Sequence, residues 1–209
     1  MSTLATDNPL FTPTEAAALT RLPVKAVHNA IDKRTVTAVS GTRAGQATRL
    51  LDLRALISLK LEGRLTDRFA PDLRRELFAA LAFASRNTVS LEGGLLKIDL
   101  REPRRELAIS LRELRRARQM IVVDPDILGG DPVFRGTRVP VHGIAALLAQ
   151  GSREAELLED YPRLTAELLR LAPLYAAAYP LRGRPRAQPW RERAPVRQTR
   201  RKLAAIDAG

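Results

Sequence analysis

The chain has 209 residues, enough for one large or two small domains, and 45% of them are hydrophobic, which argues against global disorder. Its 35 basic residues outnumber 23 acidic ones for a net charge of +12. The absence of cysteine excludes disulfides, thiol nucleophiles and Cys-ligated zinc, and with only His28 and His142 no multi-histidine metal site is expected either.

The charge is unevenly divided. Residues 1–120 carry 21 basic and 13 acidic side chains, residues 121–180 carry 5 and 8, and residues 181–209 carry 9 and 2. This distribution predicts a nucleic-acid-facing front, a packed central module and a tail that seeks an anion. The start MSTLATDNPLFTP lacks the basic and apolar segments of a signal peptide, and no run reaches 18 apolar residues. A cytoplasmic protein without a membrane partner is expected.

In chain order, Thr12-Pro13-Thr14-Glu15 is a capping box with proline at the first helical position, predicting a helix to about Thr20. Arg21-Leu22-Pro23 breaks it, because the residue before proline is pushed out of helical geometry. A second helix, PVKAVHNAIDKR, follows with Val24, Val27 and Ile31 on one face. Its other face offers Lys25, His28, Asn29 and Lys33, with Arg34 at its end. The runs 35–40 and 47–51 are β-prone, a loop over 41–46 joins them, and Asp52 caps a further helix. Helix, turn, helix, hairpin, helix resembles the winged helix–turn–helix of the MerR-like DNA-binding domains. That resemblance places the second helix in the major groove and brings Arg43 and Arg49 of the hairpin to the phosphates. The alternative is a small α+β domain whose basic residues form a solvated face.

Beyond a connector at 62–70, Pro71 opens a helix with Leu73, Leu77, Phe78 and Leu81 at helical spacing. TVSL and LLKIDL then form a hairpin around Glu92-Gly93-Gly94, and Pro103 starts an amphipathic helix through Leu107, Leu111 and Leu114. Arg112, Arg115, Arg116 and Arg118 on that helix are expected on a solvated or interdomain face. A lone hairpin has two edges to cover, so this middle module is a candidate for pairing with a copy of itself.

The segment IVVDPDILGGDPVFRGTRVPV (121–141) admits three readings. A calcium loop fails because Arg135 stands where the bidentate glutamate belongs and Leu128 cannot ligate. A phosphate loop lacks Gly-Lys-Ser/Thr, and Pro132 and Pro140 remove two amide donors, leaving only an unspecialised anion nest. The third reading is structural: Gly129, Gly130 and Gly136 supply positive φ, Pro132 and Pro140 fix turns, and Arg135 and Arg138 tie the loop down beside Thr137. Three short helices follow, ended by Gly151 and capped by Ser152 and Thr165, with Ile144, Leu148, Leu157, Tyr161, Leu168 and Tyr175 as the expected core. Pro173 falls inside the last of them.

The loop pattern DPxxxGGxPxxxGTRxPV, an Ala/Leu helix ending in glycine and an acidic helix ending in Tyr-Pro closely resemble a family of small antitoxin domains over about 60 residues. With the winged front and the following LRGRPR, the whole chain resembles the larger VapB-type antitoxins. The resemblance implies inhibition of a PIN-domain ribonuclease toxin and binding to operator DNA, as a homodimer within a larger toxin–antitoxin complex. It implies no enzymatic activity and no cofactor. The Arg/Pro-rich tail has eight Arg against one Lys. Such a tail suits a segment that folds along a partner, an arginine pairing bidentately with the metal-binding carboxylates of such a toxin. Its candidate contacts are Arg184, Arg186, Trp190, Arg191 and Arg193. The runner-up is a stand-alone transcriptional regulator. The expected fold is mostly α with short β-hairpins (α+β): a winged helix–turn–helix over 1–62, a helix–hairpin–helix module over 63–120, a trihelical unit over 121–180 and a basic tail over 181–209.

Overall fold

The computed structural model describes residues 9–43, 45–65, 69–84 and 86–181. Among them are eight α-helices and three two-stranded antiparallel sheets, a mixed α/β architecture.

Helix α1 (Pro13–Thr20) is opened by a complete capping box: Thr12 Oγ1 accepts the Glu15 N–H at 3.3 Å, and Glu15 Oε2 accepts the Thr12 N–H at 2.9 Å. Arg21 ends it in the left-handed region (φ 62°) and Pro23 leads into α2 (Val24–Asp32). Val27, Ala30 and Ile31 of α2 are buried, whereas Lys25 and Asn29 are exposed. Strands β1 (Val39–Arg43) and β2 (Gln46–Leu50) pair with Gly41 opposite Thr48. Two sequence expectations are corrected here. The strand placed at 35–40 begins at Val39, because Arg34 closes α2 in the left-handed region and the N–H groups of Thr35 and Val36 turn back onto the Ala30 carbonyl. Val36 is thereby drawn into the core. Gly41, Thr42, Arg43 and Gln46, expected in the loop, lie within the paired strands, and a Cβ at Gly41 would sit 2.5 Å from Leu50 Cδ1. Just past β2, Leu51 exchanges two 2.8 Å backbone bonds with Phe11, so the start of the described chain extends the hairpin.

Asp52 Oδ1 caps α3 (Leu53–Leu65) through the Ala55 N–H at 2.8 Å. Helix α4 (Pro71–Phe83), strands β3 (Thr88–Leu91) and β4 (Leu96–Asp99) around a 3-10 turn, and α5 (Arg101–Met120) follow. Helix α5 starts two residues before the expected Pro103, which sits in the first turn, where no N–H is required. Then come β5 (Ile121–Val122), β6 (Val133–Phe134), α6 (Val141–Ala149), α7 (Glu154–Asp160) and α8 (Ala166–Ala178). Gly151 (φ 93°) terminates α6, with the Ser152 N–H on the Leu147 carbonyl at 3.1 Å. Arg153, not Ser152, is the N-cap of α7, and its N–H meets Glu156 Oε2 at 3.4 Å. Helix α8 continues through the exposed Pro173.

One apolar cluster runs from Phe11 through Leu19, Leu56, Leu77 and Leu91 to Leu114; a second gathers Ile121, Phe134, Ile144, Leu157, Leu169 and Tyr175. Helix α5 threads both, placing Leu107, Leu111 and Leu114 in the first and Ala117 in the second. Of the expected second core, Leu148 and Tyr161 are only half-buried, and Phe134 and Leu169 take the deepest positions. Helix α8 packs against α1, α5 and α6, so it spans the two clusters.

Candidate nucleic-acid interface

Amphipathicity orients α2. Its apolar residues are spaced to pack on α1, which leaves Lys25 and Asn29 one turn apart on the open side, with Lys33 at the exposed C-cap. Arg34 lies just beyond, exposed and at φ 56°, a conformation in which a non-glycine residue is strained. His28 and Arg49, both named from the sequence, meet each other: Arg49 Nη2 lies 3.2 Å from His28 Nδ1, and Arg49 Nη1 donates to Asp32 Oδ1 at 2.5 Å. Strand β2 is thereby fastened to α2, so the hairpin and the helix present one surface. Arg43, at the end of β1, is half exposed, with Nη2 4.0 Å from Glu15 Oε1.

That contact leads to a junction that sequence reasoning missed. The Glu15 side chain is 2% exposed, and while Oε2 closes the capping box, Oε1 accepts from Arg118 Nη2 at 2.7 Å and from the Tyr179 hydroxyl at 2.7 Å. The Arg118 guanidinium also stands over the Tyr179 ring, 5.6 Å from its centroid. Burial, and then the neighbouring Glu15 carboxylate, push the Tyr179 hydroxyl well above its ordinary range, which keeps it a donor. His142 Nε2 lies 2.8 Å from the Tyr179 carbonyl. The N-terminal helix, the long α5 and the end of α8 are thus held at one carboxylate. A cleft of about 790 Å³ opens beside it, lined by Thr14, Arg43, Gln46, Arg118 and Pro180 among others. The only sequence signal for this role was Glu15 itself: a capping-box carboxylate has a second oxygen to satisfy. Arg116 also reaches across, to Glu167 at 2.9 Å, while Arg112 and Arg115 are exposed.

The loop between β5 and β6 and the turn from β6 to α6 are built largely from internal bonds. Gly129, Gly130 and Gly136 all have positive φ (64°, 88° and 76°). Arg135 donates from its backbone to the Met120 carbonyl at 2.8 Å and from Nε to the Gln119 carbonyl at 2.9 Å, satisfying the end of α5. Thr137 Oγ1 donates to the Phe134 carbonyl and accepts the Val139 N–H. The Pro132 carbonyl accepts the Val141 N–H, Pro140 bridges to Val133, and Arg138 is exposed. Among the described residues no group of His, Asp and Glu could hold a metal ion, and no helix is long and apolar enough to cross a membrane. The tail candidates Arg184, Arg186, Trp190, Arg191 and Arg193 lie outside the described residues.

This chain is similar to the uncharacterized protein y4eO of Sinorhizobium fredii, at 50% identity over 91 residues. Those residues are 44% of this chain and 41% of that protein, so less than half of the relative's length is matched. Among solved structures, the crystal structure of Rv2018 from Mycobacterium tuberculosis aligns over 81% of this chain and 99% of that one, at 17% identity and a TM-score of 0.27. Residues 121–176, which carry the glycine-rich loop and most of the three helices after it, match a family described as a protein of unknown function, DUF433.

Proposed function

We propose that this protein is a DNA-binding antitoxin: its front recognises operator DNA, and its basic tail neutralises a PIN-domain ribonuclease toxin. The observation that carries the DNA half is the fastening of β2 to α2 through Arg49, Asp32 and His28. A helix that enters a groove needs a fixed angle to the phosphate-contacting wing, and this ion pair supplies one. In this reading α1, α2, the hairpin and α3 are a MerR-like winged helix–turn–helix. Lys25 and Asn29 face base edges, and Lys33, Arg34 and Arg43 meet phosphates. The three C-terminal helices serve packing rather than base reading, consistent with 5 basic against 8 acidic residues over 121–180. The tail leaves from Pro180 and Leu181, beside the Glu15 junction. Its arginine-rich composition suits the carboxylates of a metal-dependent ribonuclease.

Two experiments test the halves separately. Replacing Lys25, Asn29 and Lys33 together with alanine should weaken operator binding and lower the salt slope by about 1, from the phosphate contact of Lys33. Unchanged binding would move the reading head elsewhere. Truncation after Leu181 should abolish protection against the toxin and leave operator binding intact. Cells still protected by the truncated chain would refute the tail mechanism. A chain that binds DNA but neither co-purifies with nor inhibits a ribonuclease encoded beside it is the stand-alone regulator instead.

A further inference from the structure

The geometry points to a second copy of this chain as the occupant of the open edge of β4, forming a four-stranded antiparallel sheet about a twofold axis through Ile98. Helix α4 packs against β3, whose outer residues Thr88 and Ser90 carry no charge, while β4 packs on β3 and its turn and on no other described element to a comparable extent, and its outer residues are Lys97 and Asp99. The bond from the Leu100 N–H to the Asn87 carbonyl, 2.7 Å, sets the alternation of the ladder. It makes Val89–Ile98 and Leu91–Leu96 the hydrogen-bonded pairs and turns the backbone groups of Lys97 and Asp99 away from β3. Among the described residues those groups take no backbone partner, and they form the row that a further strand would use.

The side chains select the partner. In an antiparallel pairing centred on Ile98, Lys97 stands opposite Asp99 of the second copy, and Asp99 opposite its Lys97. Both residues are exposed and on the outer face. The same register brings the two Ile98 side chains together on the inner face, where Leu96 and Ile98 are half-buried against the first apolar cluster. A one-residue slip would set the outward backbone groups out of phase, so backbone, charge and apolar pattern agree on this register. Asp99 already accepts from the Arg101 N–H, Nε and Nη2 at 2.8–3.2 Å, so the partner's Lys97 acts on it as a facing opposite charge between solvent-exposed side chains rather than through a dedicated hydrogen bond. This pairing is independent of any nucleic-acid or ribonuclease partner.

Sedimentation equilibrium of the full chain tests it, with circular dichroism melts to follow folding. The wild type should be a dimer. Lys97→Asp leaves the Asp99–Arg101 pair in place but sets like charges opposite each other twice, weakening dimerisation about tenfold. Lys97→Asp combined with Asp99→Lys reverses both charges and should return the affinity to near wild type. Lys97→Pro removes only an outward N–H, because Lys97 stands opposite Ser90 in a non-hydrogen-bonded pair, and should give a monomer. A wild-type monomer, a dimer indifferent to Lys97→Asp and Lys97→Pro, or a double reversal no better than the single one would each overturn the proposal.

Discussion

Replacing Glu15 with alanine should be among the most damaging single changes in the chain. The substitution deletes the carboxylate whose Oε2 closes the α1 capping box and whose Oε1 receives Arg118 and Tyr179. Loss of the reciprocal cap costs about 1 kcal/mol. Loss of the hydroxyl bond to a buried carboxylate costs about 2 kcal/mol. The Arg118 pair adds only about 1 kcal/mol, because that guanidinium is 38% exposed and screened. Relief of the carboxylate's own desolvation offsets part of this sum, leaving a net loss of about 3 kcal/mol. For a chain of this size that lowers Tm by about 9 °C. Urea unfolding at neutral pH measures the loss, and Tyr179→Phe with the double variant completes a cycle whose coupling should reach about 1 kcal/mol. A loss for Glu15→Ala below about 1 kcal/mol, or strict additivity with Tyr179→Phe, would refute the junction as the anchor between α1 and α8.

Three further outcomes are expected. Glu106 accepts from Lys60 at 2.8 Å and Arg64 at 2.6 Å, which hold its carboxyl down from 4.5 to about 2. A depressed carboxylate stabilises the fold fully above 4.5, and that contribution is lost as pH falls towards 2. The shift corresponds to about 3 kcal/mol, reduced to about 2 kcal/mol by screening, and Glu106→Gln should flatten the acid limb of the stability curve in that window. Gly41→Ala should cost about 1–2 kcal/mol, read by thermal melts, because the new Cβ meets the buried Leu50 side chain. Arg34→Gly should raise stability by about 0.5–1 kcal/mol by relieving a left-handed backbone while weakening operator binding, a split visible only when melts and binding titrations are compared.

Most helix boundaries with a local signal were legible, the Ser152 cap and the Pro103 start being the exceptions. The Thr12–Glu15 box, the Asp52 and Thr165 caps and the Gly151 terminator all work within a few residues, so spacing alone locates them. The first hairpin was legible in kind but not in register, because the left-handed closure at Arg34 and the close approach of Leu50 to Gly41 depend on where α2 ends and how β2 lies. The surface of α2 followed from its amphipathicity, yet Arg49, expected at the phosphates, turned out to face His28 and Asp32. An exposed cation on a strand has several partners within reach, and only the packing of the hairpin on the helix chooses among them.

By itself the sequence determined the eight helices and the first two hairpins in their order, a basic front with a basic tail, and a glycine- and proline-fixed loop without the residues for calcium or a nucleotide, but not the pairing of β5 with β6. These are properties of residue type and short spacing, where backbone sterics and capping act. Tertiary structure decided what Glu15, Arg118 and Tyr179 do. Arg118 and Tyr179 lie 103 and 164 residues from Glu15 along the chain, and their meeting depends on α8 packing back onto α1 and α5. A charge on a helix face carries no record of the helix it will meet; the apolar faces that bring those helices together settle its partner.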